Sequence, residues 1–161
     1  MKMETAAQSN TTAARAFPGA RWFRVASWMH VMVALGHMLG NFGPGRQVPT
    51  PEESRVYDAM AQLTMRFPGP RHTLMDFATG WSVSMGLLYL GFGAVNLMLE
   101  HALRKEGRGV PSAVSAVNVL VSLAGLIVAA LYFSPPPLPF LAAAVSCFGV
   151  AWMRSRQAAP R

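Results

Sequence analysis

Leu74–Leu99 reads LMDFATGWSVSMGLLYLGFGAVNLML, a run with one charge, Asp76, at its third position. A bilayer core of ~30 Å takes about 20 residues of helix at ~1.5 Å each, so the run is long enough to span. Thr79, Ser82, Gly86, Tyr89, Gly93 and Asn96 recur in it, and Glu100 follows just beyond it, at alternating steps of three and four, which keeps them on one helix face. In lipid the small and polar face is the one that turns towards neighbouring helices. The stretch reads as a transmembrane helix whose polar side faces a bundle interior.

Working outward, Trp22–Phe42, Ala113–Phe133 and Leu138–Met153 are also predominantly apolar, and 52% of the chain is hydrophobic against 13% charged, unlike a soluble domain. The last run is short at about 16 residues, although Arg154 and Arg156 can snorkel to extend its reach. Turn residues agree with these limits: Gly43-Pro44-Gly45, Phe67-Pro68-Gly69-Pro70, Gly107 to Pro111, and Ser134 to Pro139. The expected fold is therefore an all-α membrane protein, a four-transmembrane-helix bundle with helices near 22–42, 73–101, 112–133 and 138–153. A polar N-terminal segment, 1–21, precedes this single membrane domain, 22–153, and a basic tail, 154–161, follows it. A cleaved signal peptide is disfavoured by the polar lead of about twenty residues and by the unsuitable LGHMLGN stretch.

A net charge of +7 fits either nucleic acid or anionic headgroups. The basic residues flank apolar runs instead of forming one stripe with aromatic partners, which argues against nucleic acid. With both termini and the second loop inside, ten cations (residues 2, 15, 21, 24, 104, 105, 108, 154, 156 and 161) face the cytoplasm and four (46, 55, 66 and 71) face outward. The positive-inside rule prefers that arrangement, so the expected location is a cell inner membrane with cytoplasmic termini. The single Cys147 precludes an intramolecular disulfide.

The first outer loop carries its own helix signal. Thr50-Pro51-Glu52-Glu53 offers a capping hydroxyl, a proline at the first helical position and a carboxylate three residues after the cap. Val56, Ala59, Met60, Leu63 and Phe67 then recur at helical spacing, which predicts an amphipathic helix over about 51–67. Thr73 and Asp76 repeat the capping logic before the second spanning helix, so Asp76 reads first as a helix-start carboxylate. Glu100 and His101 read as solvated groups at the cytoplasmic interface.

The polar stripe continues in the other helices as Ser27, His30, Ala34, His37 and Asn41; as Ser115, Asn118, Ser122, Gly125, Ala129 and Tyr132; and as Ala142, Ser146 and Gly149. The expected polar core, which doubles as a ligand-binding candidate, is Ser27, His30, His37, Asn41, Thr79, Ser82, Asn96, Asn118 and Ser122. Gly36 and Gly40 form a GxxxG suited to helix contact within the bundle or between protomers. Seven residues place His30 and His37 about 10.5 Å apart along the axis, too far to share an ion at Zn–N distances of ~2.0–2.1 Å. No metal site and no cofactor are expected, and neither a nucleotide loop nor a nucleophile elbow occurs.

From Arg71 to Leu99 the chain resembles a family of small uncharacterised four-helix bacterial inner-membrane proteins with an R-x-T-L-x-D-x-x-x-G-x-S-x-x-M-G second helix. Arg71, Thr73, Leu74, Asp76, Gly80, Ser82, Met85 and Gly86 match that pattern. The likeness to DoxX-type four-helix proteins is looser and architectural. Both imply topology and bring no catalytic residues.

The leading functional expectation is a non-enzymatic membrane protein that binds a lipid-like or small apolar ligand, or a partner helix, through the polar interior. Its partners would be the bilayer and either a second copy or another membrane protein. The alternative is a membrane-embedded enzyme acting on a lipid, quinone or isoprenoid, with His37 as general acid or base, Asp76 orienting it or exchanging its proton, and Tyr132 assisting. A proton or ion pathway through the polar zones is the third expectation.

Overall fold

The computed structural model of the chain describes residues 19–44, 48–66, 69–132 and 135–157. The expected N-terminal segment up to residue 18, Phe67 at the expected end of the amphipathic helix, parts of two turns (45–47 and 133–134) and tail residues 158–161 lie outside them.

Five helices make up the described chain: α1 (Ala20–Phe42), α2 (Pro51–Gln62), α3 (Leu74–Lys105), α4 (Ser112–Tyr132) and α5 (Leu138–Gln157). Two capping boxes start α2 and α3. Thr50 Oγ1 accepts from the Glu53 N–H at 3.2 Å while the Glu53 carboxylate accepts from the Thr50 N–H at 2.7 Å. Thr73 and Asp76 repeat the exchange at 3.1 and 2.8 Å.

The amphipathic helix is shorter than the sequence spacing predicts. It ends at Gln62, after which β1 (Thr64–Met65) pairs antiparallel with β2 (His72–Thr73), and the Leu74 N–H donates to the Leu63 carbonyl at 2.8 Å. This pairing supplies the backbone partners that a further helical turn would have supplied, and it delivers Thr73 to the start of α3. No residue of α2 is buried.

Three helices, α3, α4 and α5, are long and apolar enough to cross a membrane. The fourth apolar run, expected to be short, forms a helix of 20 residues. The weaker candidate is α1: its 23 residues suffice in length, but its arginines, histidines and asparagine keep it outside the group of three.

Helix α1 packs against both α3 and α5, and α5 packs against α4. Each of these pairs runs antiparallel: Arg24 meets Glu100 and His37 meets Ser82 on α3, Phe23 meets Phe148 while Val33 shares a cluster with Leu141 on α5, and on α4 Val114 packs with the Phe148 cluster while Ala129 packs with Leu141. One apolar cluster joins Phe23, Ala26, Phe148 and Ala151, and another joins Val33, Ala129 and Leu141. Between them the interior is polar: Ser27, His30, Asn96, Ser115, Asn118 and Ser122 are buried. The outside is the reverse, with Leu88, Val95, Met98, Leu120 and Leu131 exposed. Polar residues inside and large aliphatic residues outside are the distribution expected where the surroundings are hydrocarbon.

The periodic reading of α5 selects the wrong face. Its buried residues are Leu141, Ala144, Phe148 and Ala151, whereas Ala142 and Ser146 are exposed. Ser146 donates to the Ala142 carbonyl at 2.9 Å, so it needs no neighbour. The large side chains Leu141 and Phe148 do the packing.

Close helix approach occurs at Gly93. A Cβ there would sit 2.8 Å from the Ser27 carbonyl oxygen and 2.8 Å from Val31 Cγ2, so α1 and α3 touch through backbone. Gly91, two residues earlier, has nothing within 4 Å. Gly93→Ala is expected to destabilise the protein by about 1–3 kcal/mol through overpacking, and Gly91→Ala to stay within about 0.5 kcal/mol of the parent. Reversible unfolding in mixed micelles measures both, and equal effects at the two positions would contradict the contact.

Candidate functional site

At the end where α1 begins, Arg24 Nη2 donates to Glu100 Oε1 at 2.6 Å and Arg24 Nε to Oε2 at 3.2 Å. Arg104 Nε stands 3.9 Å from the same carboxylate. Glu100 is 3% exposed, which corrects its reading as a solvated interfacial group: it is the buried half of a two-point ion pair. Arg24 lies three residues before Ser27 and so extends the α1 stripe by one step, a signal present in the sequence.

The next level joins α3 to α4. Asn96 Nδ2 donates to Asn118 Oδ1 at 2.7 Å and to the Phe92 carbonyl at 3.0 Å, and Asn118 Nδ2 donates to the Val114 carbonyl at 2.8 Å. Close by, Ser27 returns its hydroxyl to the Phe23 carbonyl at 2.8 Å.

His30 occupies the third level, with Phe92, Phe148 and Tyr89 around its ring at centroid distances of 4.9, 5.8 and 5.9 Å. Nδ1 is 3.1 Å from the Ala26 carbonyl, which only accepts, so Nδ1 carries the proton. Nε2 then accepts from the Ser122 hydroxyl at 3.2 Å. Both ring nitrogens are satisfied, and this imidazole is a structural link between α1 and α4.

His37 differs. Its Nε2 lies 2.9 Å from both the hydroxyl and the carbonyl oxygen of Ser82. Protonated at Nε2 it donates to the carbonyl, and protonated at Nδ1 it accepts from the hydroxyl; in either form it ties α1 to α3. Asn41 Nδ2 donates to the His37 carbonyl at 2.8 Å and stands 3.5 Å from Nδ1, which leaves Asn41 Oδ1 uncommitted.

Beside His37 the helices part around a cavity of about 330 Å³. Apolar walls come from α1 (Met32, Val33), α3 (Met85) and α5 (Phe140, Leu141), with Pro136 and Pro137 from the connection before α5. His37, Asn41 and Tyr89 are its polar wall. Among the described residues the Tyr89 hydroxyl has no hydrogen-bond partner; it points towards Gly125, 3.1 Å from where a Cβ would sit. The sequence stripe contains Tyr89, but only the void beside it distinguishes it from a packing residue.

Gly36 and Gly40, expected to make helix contacts, line this cavity instead. Nothing lies within 4 Å of where a Cβ would sit on either, so they make no close contact within the chain. Their missing side chains keep the space open.

Of the candidate catalytic residues, only His37 faces the cavity. Asp76 is exposed and bound into the Thr73 capping box, and Tyr132 is 77% exposed; neither lines the cavity. Tyr132 continues a period past the length over which α4 is packed. Thr79 is likewise exposed, and of the expected polar core Ser27, His30, Asn96, Asn118 and Ser122 are buried. Ser82, His37 and Asn41 do form a nucleophile–base–orienter sequence in outline. Ser82 does not line the cavity, however, and the same imidazole–hydroxyl pairing recurs at His30 and Ser122 as a packing device. Among the described residues no three of His, Cys, Asp and Glu gather as a metal site.

No family model matches the chain, and no curated protein or solved structure matches it.

The buried ion pair yields a quantitative expectation. Arg24→Ala removes both hydrogen bonds to the Glu100 carboxylate and leaves it only the longer approach of Arg104; the expected cost is about 3 kcal/mol, the low end for breaking a buried pair, because Arg24 is itself 42% exposed. Glu100→Gln removes the buried charge with little change of shape and is expected to cost less. Unfolding titrations of the two variants in one micelle system decide the order, and the reverse ranking would contradict the role given to Glu100.

Proposed function

We propose that the protein is a four-span inner-membrane protein with cytoplasmic termini that binds a small lipid-like ligand in the outer cavity and performs no chemistry on it. The observation that carries this reading is the cavity itself: about 330 Å³, apolar on most sides, with Tyr89, Asn41 and His37 collected on its wall. Small-molecule sites have this composition, apolar surroundings with a few convergent polar groups. A ligand suited to it has an apolar body and a compact head. The head would accept a hydrogen bond from the Tyr89 hydroxyl or donate one to Asn41 Oδ1.

The case for α1 as a fourth span rests on where its polar residues point. Ser27 and His30 are buried and Arg24 is paired with Glu100, while Val25, Trp28, Met32, Leu35 and Leu39 are exposed. A helix sorted in this way presents an apolar exterior despite its mixed sequence. The excess of cations at the end shared by both termini supports the orientation. An enzymatic role has less support, because the cavity gathers only one of the three expected catalytic residues.

Gly36→Leu combined with Gly40→Leu tests the ligand reading by filling the void from a helix that has room at both positions. Native mass spectrometry after gentle extraction is expected to find a small-molecule adduct on the parent and none on the filled variant, with melting temperature maintained. A parent that is bare under every extraction condition, or a filled variant that keeps the same adduct, would refute the proposal.

A further inference from the structure

The end opposite the cavity carries more cations than its ion pairs with Glu100 and Glu106 engage. Among the described residues, seven cations (residues 21, 24, 104, 105, 108, 154 and 156) gather where α1 and α4 begin and α3 and α5 end, against two carboxylates, Glu100 and Glu106. At the cavity end the described residues hold three arginines (55, 66 and 71) against four carboxylates (52, 53, 58 and 76). Both carboxylates at the basic end are already engaged, Glu100 by Arg24 and Arg104, and Glu106 by Arg108 at 3.1 Å.

Helix dipoles account for part of this surplus. Arg104 and Lys105 close α3, and Arg154 and Arg156 close α5, where the carbonyl end favours cations. Arg21 is the exception. It occupies the first turn of α1, the end that repels a cation, and it has no carboxylate partner among the described residues. Its guanidinium instead lies over the Trp22 ring at 5.2 Å, as that of Arg156 lies over Trp152 at 5.5 Å.

The fold sets these two arginine–tryptophan pairs on adjacent helix ends. Gly19, at φ 94°, lets the chain enter α1 hard against α5: a Cβ there would sit 2.9 Å from the Ala151 carbonyl oxygen and 3.4 Å from Arg154 Cβ. Arg21, Arg154 and Arg156 are all exposed, so three guanidiniums with no carboxylate partner among the described residues share one edge of the molecule. Tryptophan is the residue type that settles at the headgroup level of a bilayer, and guanidinium matches phosphate with paired N–H donors.

We infer that this α1/α5 edge binds the headgroups of anionic phospholipids in the adjoining leaflet. The phosphate takes the arginine N–H groups, and the tryptophan faces hold those guanidiniums at headgroup depth. A zwitterionic headgroup offers the same phosphate but brings an ammonium that the surplus of cations repels.

The test is a native mass spectrometry titration of the full chain in detergent with dioleoyl phosphatidylglycerol, repeated with dioleoyl phosphatidylcholine. Phosphatidylglycerol is expected to bind more tightly, with each collar arginine removed weakening it roughly fivefold, so that Arg21→Gln with Arg156→Gln gives roughly 25-fold. Arg55→Gln with Arg71→Gln removes equal charge from the other end and is expected to leave the constant unchanged. Arg21→Lys with Arg156→Lys retains charge but loses the paired donors and the stacked plane, and is expected to bind between the parent and the glutamine pair with the parent's melting temperature, which separates headgroup recognition from a folding defect. Equal affinity for the two lipids, or equal losses in the two glutamine pairs, would overturn the inference.

Discussion

Every polar group inside this protein has to find its partner within the protein, because its outward faces are built to meet hydrocarbon. A hydroxyl or amide left without a partner in such surroundings costs several kcal/mol. Among the described residues Ser115 Oγ and Trp22 Nε1 are buried without a partner; most of the other interior groups meet that demand in two ways. Some groups turn back to a carbonyl four residues earlier on their own helix, as Ser27 does to Phe23 and Asn118 to Val114. Others cross to a neighbour, as Arg24 does to Glu100, Asn96 to Asn118 and His30 to Ser122. The crossing bonds fix which residues of two helices stand level, and apolar packing then fills the space between the levels.

The same constraint separates the two histidines of α1. His30 has a carbonyl on one nitrogen and a hydroxyl on the other, with aromatic rings closing its sides. His37 is held to α3 through Nε2 alone, and its other side looks into open space with Asn41. One residue type at one spacing thus serves as a closed strut at one depth and as the wall of a cavity at the next. The difference comes from the neighbours: Phe92 and Phe148 crowd His30, whereas two glycines leave room beside His37.

Much of this was legible in the sequence. The three-and-four stripe of α3 and α4 identifies Gly86, Gly93, Asn96, Ser115, Asn118 and Ser122 as inward because small and polar residues on these helices have nowhere else to go. The stripe fails on α5, where the packing residues are Leu141 and Phe148 and a serine can satisfy itself locally. It also fails at Thr79, which lies beyond the end of α4, and at Tyr132, the last residue of α4, since a period carries no information about where a helix ends. The stripe also places Glu100 inward, as its burial bears out, but its reading as a solvated group fails because its partner is 76 positions away in the chain. Gly36 and Gly40 show the opposite limit: the same spacing that permits helix contact also permits an absence of contact, and only the position of the neighbours distinguishes the two.

The length of α3 gives the cavity end its form. The Asn96–Asn118 bond and the approach of Tyr89 to Gly125 share one register, which sets Tyr132, the last residue of α4, level with Ser82. The first eight residues of α3 (74–81) therefore rise about 12 Å above the top of α4. The cavity end is a step, not a plateau. The high side carries α2 and the short strand pair, and the low side holds the prolines before α5, so a visitor to the cavity would meet a wall on one flank and a doorstep on the other.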